Sequence, residues 1–286
     1  MYAAPILLVV LSAILHLAWN VKVQSSKDPL ATTTIAVSLG ALIYLPIVFF
    51  YWLQSGQPNL TMPALLFGIL TGLAELGYFY FLSYSYRHGE LSVVYPIARG
   101  SAPIMTFAFA VIFLHESVSS NQILGVASLI LGIWLIRSTQ LHGAKGAYPA
   151  LITGLFIASY TVLDKLGLEH ADPVVFGGLK YFFTAVCLLI FVAVYNASVS
   201  RQSKKIRLLD QNIKVALFVG ISIIATYQLV LFAMTMAPVA IISPLRESAS
   251  VFVTIWGIWS LKERRGVVSK LTGAICIIFG VALLAI

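Results

Sequence analysis

The chain has 286 residues, 60% hydrophobic and only 10% charged, against about 25% charged in soluble domains, so it excludes a soluble globular fold. The net charge of +8 does not point to nucleic acid, because the lysines and arginines sit in short segments between apolar runs and not on one face. Cys187 and Cys276 lie inside apolar runs and offer neither a disulfide framework nor a metal site.

Ten apolar runs follow one another, each near the roughly 20 residues that cross a bilayer. Backbone groups in hydrocarbon must bond within their own segment, so the runs are predicted to be helices. The first, about 3–21, has no basic segment ahead of it and no obvious cleavage site; a retained helix is expected, not a signal peptide. It carries His16, Trp19 and Asn20 at i, i+3 and i+4, on one face. The second run spans about 31–52. The third, about 62–86, holds Glu75 and a stretch rich in aromatics: Tyr78, Phe79, Tyr80, Phe81, Tyr84 and Tyr86. Its Gly68 and Gly72 form a Gly-x-x-x-Gly that permits close helix approach. Arg99 lies in the fourth run, about 91–113, and the fifth spans about 119–137. After a polar stretch, the sixth run (about 147–166) carries Tyr160 and Asp164. The seventh (about 173–195) carries Lys180, close enough to its start for snorkelling. A basic segment, Asn196 to Gln211, leads to the eighth run (about 212–235) with Tyr227. The ninth (about 239–261) holds Arg246 and Glu247, and the tenth spans about 267–285.

The basic residues are sorted by loop. Loops after the odd-numbered runs hold Lys22, Lys27, Arg87, Arg137, Lys145, Arg201, Lys204, Lys205, Arg207, Lys214, Lys262, Arg264, Arg265 and Lys270; the alternate loops hold only Lys165. Positive residues resist translocation, so the rich side is predicted to be cytoplasmic. The expected location is the cell's inner (plasma) membrane, with both termini extracytoplasmic.

The chain also repeats itself. Leu114-His115-Glu116 and Leu261-Lys262-Glu263 are offset by 147, as are Arg99 and Arg246, Ser101 and Ser248. Gly125 and Gly132 pair with Gly273 and Gly280 at 148, and Asp28-Pro29 with Asp172-Pro173 at 144. The order is shared across five runs. Five is odd, so the second half enters the membrane from the opposite side, and the loop charges agree: the segment after the seventh run is basic, while its counterpart, 53–61, carries no charge. The predicted fold is an all-α membrane protein of ten transmembrane helices in two inverted five-helix repeats. Residues 1–138 form the first, 139–146 connect, and 147–286 form the second. Such repeats build transporters with a site near the midplane and alternating access.

The motifs Tyr95-Pro96-Ile97-Ala98-Arg99-Gly100-Ser101-Ala102-Pro103, Leu114-His115-Glu116 and Gly125 to Gly132 recur as Ser243-Pro244-Leu245-Arg246-Glu247-Ser248, Leu261-Lys262-Glu263 and Gly273 to Gly280. With them, the chain resembles the EamA-type transporters of the drug/metabolite transporter (DMT) superfamily. Trp19-Asn20 resembles the end of that family's first helix, and Tyr160 to Lys165 a subgroup's sixth. The resemblance covers the whole chain. It implies a secondary transporter, with efflux favoured. It leaves the substrate open among amino acids, nucleobases, sugars, drugs and phosphorylated metabolites. Basic residues in corresponding helices serve the phosphate-translocating branch.

Ionisable residues inside a membrane span are functional candidates by default. Arg99 and Arg246 sit at matching depths, where two guanidiniums facing one cavity would grip a carboxylate or phosphate by bidentate forks. The alternative is internal pairing, Arg99 with Glu75 and Arg246 with a neighbouring carboxylate. Glu75, Asp164 and His16 are the candidates for proton coupling, since an unpartnered buried carboxylate can exchange a proton near neutral pH. The same Glu75 serves equally as a fixed counterion. Trp19, Asn20, Tyr78, Tyr160, Tyr227 and Glu247 complete the predicted substrate-binding set; the aromatics suit an organic or cationic ligand, or else packing and the interfacial belt. Glu116 and Glu263, at run ends, are expected to be structural.

The expected activity is secondary transport of a small metabolite, carboxylate-bearing, such as an amino acid, with proton coupling as an option. A facilitative exchanger of phosphorylated or of cationic aromatic compounds is the alternative. An intramembrane enzyme is disfavoured: no His-Glu-x-x-His, Gly-x-Ser-x-Gly or phosphate-cradling Gly-rich loop is present, and neither metal nor cofactor is expected. A channel is disfavoured by the internal inversion. Partners are the substrate, the bilayer and protons, with the chain a monomer or homodimer.

Overall fold

The structure is a computed structural model that describes residues 3–56, 60–88, 91–138, 146–199, 205–246, 251, 255, 258–259 and 266–285. Its helices are α1 (Ala3–Gln24), α2 (Pro29–Gln54), α3 (Met62–His88), α4 (Leu91–Phe113), α5 (Ser120–Ser138), α6 (Ala147–Leu168), α7 (Pro173–Ser198), α8 (Ile213–Met236), α9 (Val239–Leu245) and α10 (Val267–Ala285). Among the described residues there is no strand. Of these helices, α2, α3, α6, α7, α8 and α10 are long and apolar enough to cross a membrane. The apolar stretches described in α1, α4 and α5 are shorter, and much of the ninth run beyond Leu245 lies outside the described residues.

The repeated Asp-Pro is a repeated helix start. Asp28 accepts from the Ala31 N–H at 3.2 Å and Asp172 from the Val174 N–H at 2.8 Å, each followed by proline at the first helical position. A carboxylate there satisfies an orphan donor, and proline gives up only an N–H that the helix does not use.

Packing joins one half to the other. α3 lies against α6 and α7, and their repeat mates repeat the pattern, with α8 against α1 and α2. α4 packs on α6 and α9, and α5 on α10. Glycines set the closest approaches. A Cβ on Gly132 would stand 2.5 Å from the Gly273 carbonyl, and one on Gly280 2.6 Å from the Gly125 carbonyl. The repeat, which pairs Gly125 with Gly273 and Gly132 with Gly280, exchanges these two contacts, so α5 and α10 cross about a pseudo-twofold axis. Between the two contacts Ser128 donates to the carbonyl of its own mate, Cys276, at 2.8 Å.

The ends show that the halves are antiparallel. At one end the Thr32 hydroxyl donates to Gln211 at 2.8 Å, joining the segments after α1 and α7. At the other, Thr61 reaches the His170 carbonyl at 3.4 Å and Lys165 donates to the Met234 carbonyl at 2.6 Å. The Glu116 carboxylate accepts from the Val239 and Ala240 N–H groups at 2.7 and 2.8 Å. That contact gives Glu116 the structural role expected of it, since it caps α9; Glu263 lies outside the described residues. His115, in the left-handed region at φ 52°, ends α4 and brings Glu116 round to α9. α2 and α7, mates in the repeat, thus run in opposite directions. The outer surface of the bundle is apolar, with Leu42, Phe50, Trp134, Ile190 and Ile275 exposed as lipid contact requires.

Candidate functional site: a buried charge and tyrosine cluster

Inward-facing i, i+4 pairs build the site. Thr71 and Glu75 project from one face of α3, Tyr160 and Asp164 from α6, and Lys180 and Thr184 from α7. Tyr227 joins them from α8. The Lys180 Nζ stands 2.7 Å from Asp164 Oδ2 and 2.9 Å from Glu75 Oε1. Thr71 Oγ1 donates to Asp164 Oδ1 at 2.9 Å, Tyr227 OH to Asp164 Oδ2 at 2.6 Å, and Thr184 Oγ1 to Glu75 Oε2 at 2.7 Å. The ammonium also lies 3.8 Å from the Tyr227 ring centroid and 4.6 Å from that of Tyr160. Every one of these interactions gains from the low dielectric around it, and each charge would be costly without the others.

This geometry bears on two alternatives. The ion pair described for Glu75 is with Lys180, not the Arg99 pairing offered as an alternative. Lys180 does not snorkel; its side chain is fully buried. The predicted binding set does not include Lys180, Thr71 or Thr184. The sequence carries a signal for Lys180: a lysine inside the membrane needs an intramembrane carboxylate, and Glu75 and Asp164 are two such residues.

Around the triad, Tyr78, Tyr160 and Tyr227 form a row, successive ring centroids 5.8 Å apart and set edge to face. Arg246, buried at 6% exposure, places its guanidinium carbon 5.1 Å from the Tyr227 centroid. Arg99, in α4, is buried at 7%. His16 and Trp19 meet edge to face at 4.6 Å on α1. The structure thus gathers His16, Trp19, Glu75, Tyr78, Arg99, Tyr160, Asp164, Tyr227 and Arg246 in the interior. The Asn20 side chain and Glu247 lie outside the described residues. Tyr80 and Tyr84 do not join: Tyr80 packs on Phe191 at 5.3 Å, and Tyr84 is exposed.

Chemically, the cluster is a set of charged and hydrogen-bonding groups. Among the described residues, no group of three metal-ligating side chains occurs. Arg99, Lys180 and Arg246 are buried cations, and Lys180 pairs with the buried carboxylates of Glu75 and Asp164.

The model of the EamA-like transporter family matches residues 2–138 and again 144–286. An uncharacterized protein of Methanocaldococcus jannaschii is 27% identical over 117 residues, 40% of this chain and 81% of that one, which makes the relative about as long as one repeat here. The crystal structure of another protein superposes with a TM-score of 0.70 at 16% identity. It covers 100% of this chain and 99% of that chain, a likeness of fold.

Proposed function

We propose a function from one premise: the chain belongs to the EamA-like transporter family. It is a multi-pass membrane protein, and its family transports small molecules. Within that activity, the proposed substrate is a small metabolite bearing a carboxylate, such as an amino acid, moved outward by alternating access and coupled to protons.

One observation carries the substrate class. Arg99 and Arg246 are repeat mates in α4 and at the end of α9, and both are buried. Two guanidiniums facing one cavity would offer two forks to one carboxylate. A second proposal, exchange of phosphorylated or of cationic aromatic compounds, draws on the tyrosine row. Lys180 already lies against two of those rings, which favours an anion over a cation.

Arg99→Ala and Arg246→Ala should each abolish uptake of the substrate into proteoliposomes while the protein still inserts. A hydrogen bond to a charged group contributes about 1.5–3 kcal/mol, a loss of about ten- to a hundredfold in affinity for one fork. Arg→Lys at either position should keep charge but lose the fork, and transport should fall to an intermediate level. Normal uptake by both alanine variants would refute the carboxylate clamp.

A further inference from the structure

The segments after α1 and α7 enclose a cavity of about 890 Å³ at one end of the bundle. Lys22 and Lys27 line one wall, and Lys205 and Arg207 the other. Among the described residues the three lysines make no ion pair. The two acids of the lining already have partners. Asp28 caps α2, and Asp210 lies 3.5 Å from the Arg207 guanidinium. That second pair is exposed and loosely held, so Arg207 keeps most of its five donors. The fold does not require these cations. Asp28 and its repeat mate Asp172 cap equivalent helices, but the mates of Lys22 and Lys27 are Leu166 and Ala171. The segment 53–61, equivalent to the wall of Lys205 and Arg207, carries no charge. The same architecture is built at the other end of the bundle without a basic cavity.

The basic walls are braced. Asn196 of α7 donates to the Ile206 carbonyl and accepts its N–H, both at 2.8 Å, and Ile206 is buried. Lys205 and Arg207 flank that pinned residue. Gln211 accepts from Thr32 of α2 and donates to the Arg207 carbonyl at 3.0 Å, which ties the two walls together. Depth follows from length. α8 has 24 residues, about 36 Å, against roughly 30 Å of hydrocarbon, so the cavity at its start lies at the level of lipid headgroups. In the turn before α8 stands Leu209, at 97% the most exposed of the large apolar side chains described. The cavity's size falls in the range of about 300–1,000 Å³ that takes a whole organic ligand. An inorganic ion would fill little of it and would leave Leu209 uncovered.

We propose that this cavity binds an anionic phospholipid, its phosphate between the two basic walls and its acyl chains beside Leu209. The phosphate accepts from the lysine ammoniums as point charges and from Arg207 through two N–H groups at once. Basic pockets at the membrane surface between spanning helices suit such headgroups. The bound lipid joins the segment after α1 to the segment after α7, and so bridges the two repeats at one end. The site is separate from the buried charge and tyrosine cluster. It stands whether or not the chain transports a carboxylate.

The full chain in a non-ionic detergent is given equal amounts of phosphatidylglycerol and phosphatidylcholine with the same acyl chains. Retained lipid is counted by native mass spectrometry. Phosphatidylglycerol should be retained in preference. Each cation beside an anionic headgroup contributes about fivefold in affinity, so Lys205→Gln with Arg207→Gln should weaken retention by more than about tenfold. Lys214→Gln removes an exposed cation outside the lining and should leave retention unchanged. If the double variant does not fold, Lys22→Gln with Lys27→Gln replaces it, with the same expectation. Leu209→Ser should loosen phosphatidylglycerol, and glycerol phosphate at the lipid's concentration should not displace it. Equal retention of the two lipids, or a loss in Lys214→Gln as large as in the double variant, overturns the site. Displacement by glycerol phosphate, with Leu209→Ser without effect, overturns the lipid as occupant in favour of a soluble phosphate compound.

Discussion

At the scale of single residues, the interior is organised by Lys180. It bonds two carboxylates and lies on two tyrosine rings, so removing its charge strands both acids. Breaking a buried pair from one side costs about 3–5 kcal/mol, whereas replacing the whole set with neutral groups is often near neutral. Lys180→Met should therefore lower the thermal unfolding temperature strongly, and the triple variant Lys180→Met, Glu75→Gln, Asp164→Asn should recover most of it. Both are read by the same melt in the same detergent. A single variant as stable as the natural chain would mean that the triad is not a structural pair.

At the scale of helices, small residues and caps decide which elements touch. Gly220 is tightly seated, because a Cβ there would run into the Ala36 carbonyl and Gly40 would have to withdraw. Overpacking of this kind costs about 1–3 kcal/mol. Gly220→Ala should destabilise accordingly, while Gly68→Ala, whose Cβ would meet side-chain atoms of Leu179 and Phe183 at 3.2 Å, should cost less. Glu116→Ala removes the acceptor for two backbone donors at the start of α9. The expected loss is about 0.5–2 kcal/mol. Because α9 leads into Arg246, substrate affinity should fall with it, measured as a thermal shift on ligand addition.

At the scale of the whole molecule, the antiparallel halves put the segments after α1 and α7 at one end. There a cavity of about 890 Å³ is lined by Lys22, Lys27, Lys205 and Arg207, with Asp28 and Asp210. Those cations are part of the charge asymmetry from which we propose that this end is cytoplasmic, a topology that puts Ile286 on the opposite side of the membrane. A reporter fused there that is active only outside the cytoplasm should be active; one active only inside should stay silent. The reverse result would invert the topology and with it the direction assigned to transport.

The sequence by itself determined where the helices run, that they repeat, and which family the chain resembles. Hydropathy and loop charge are properties of contiguous segments, set by transfer of that segment from water to lipid. The predicted run 173–195 against α7 (Pro173–Ser198) shows how closely that local physics is followed. The inward charges were legible too, since a lone Arg99, Glu75 or Asp164 in an apolar run stands out. Only the tertiary structure decided their partners. Glu75 went to Lys180, 105 positions along the chain, because glycine contacts hold α3 against α7. Apolar helices all look alike to lipid. Which of them meet depends on shape and on the neutralisation of buried charge, and both are settled between segments, not within them.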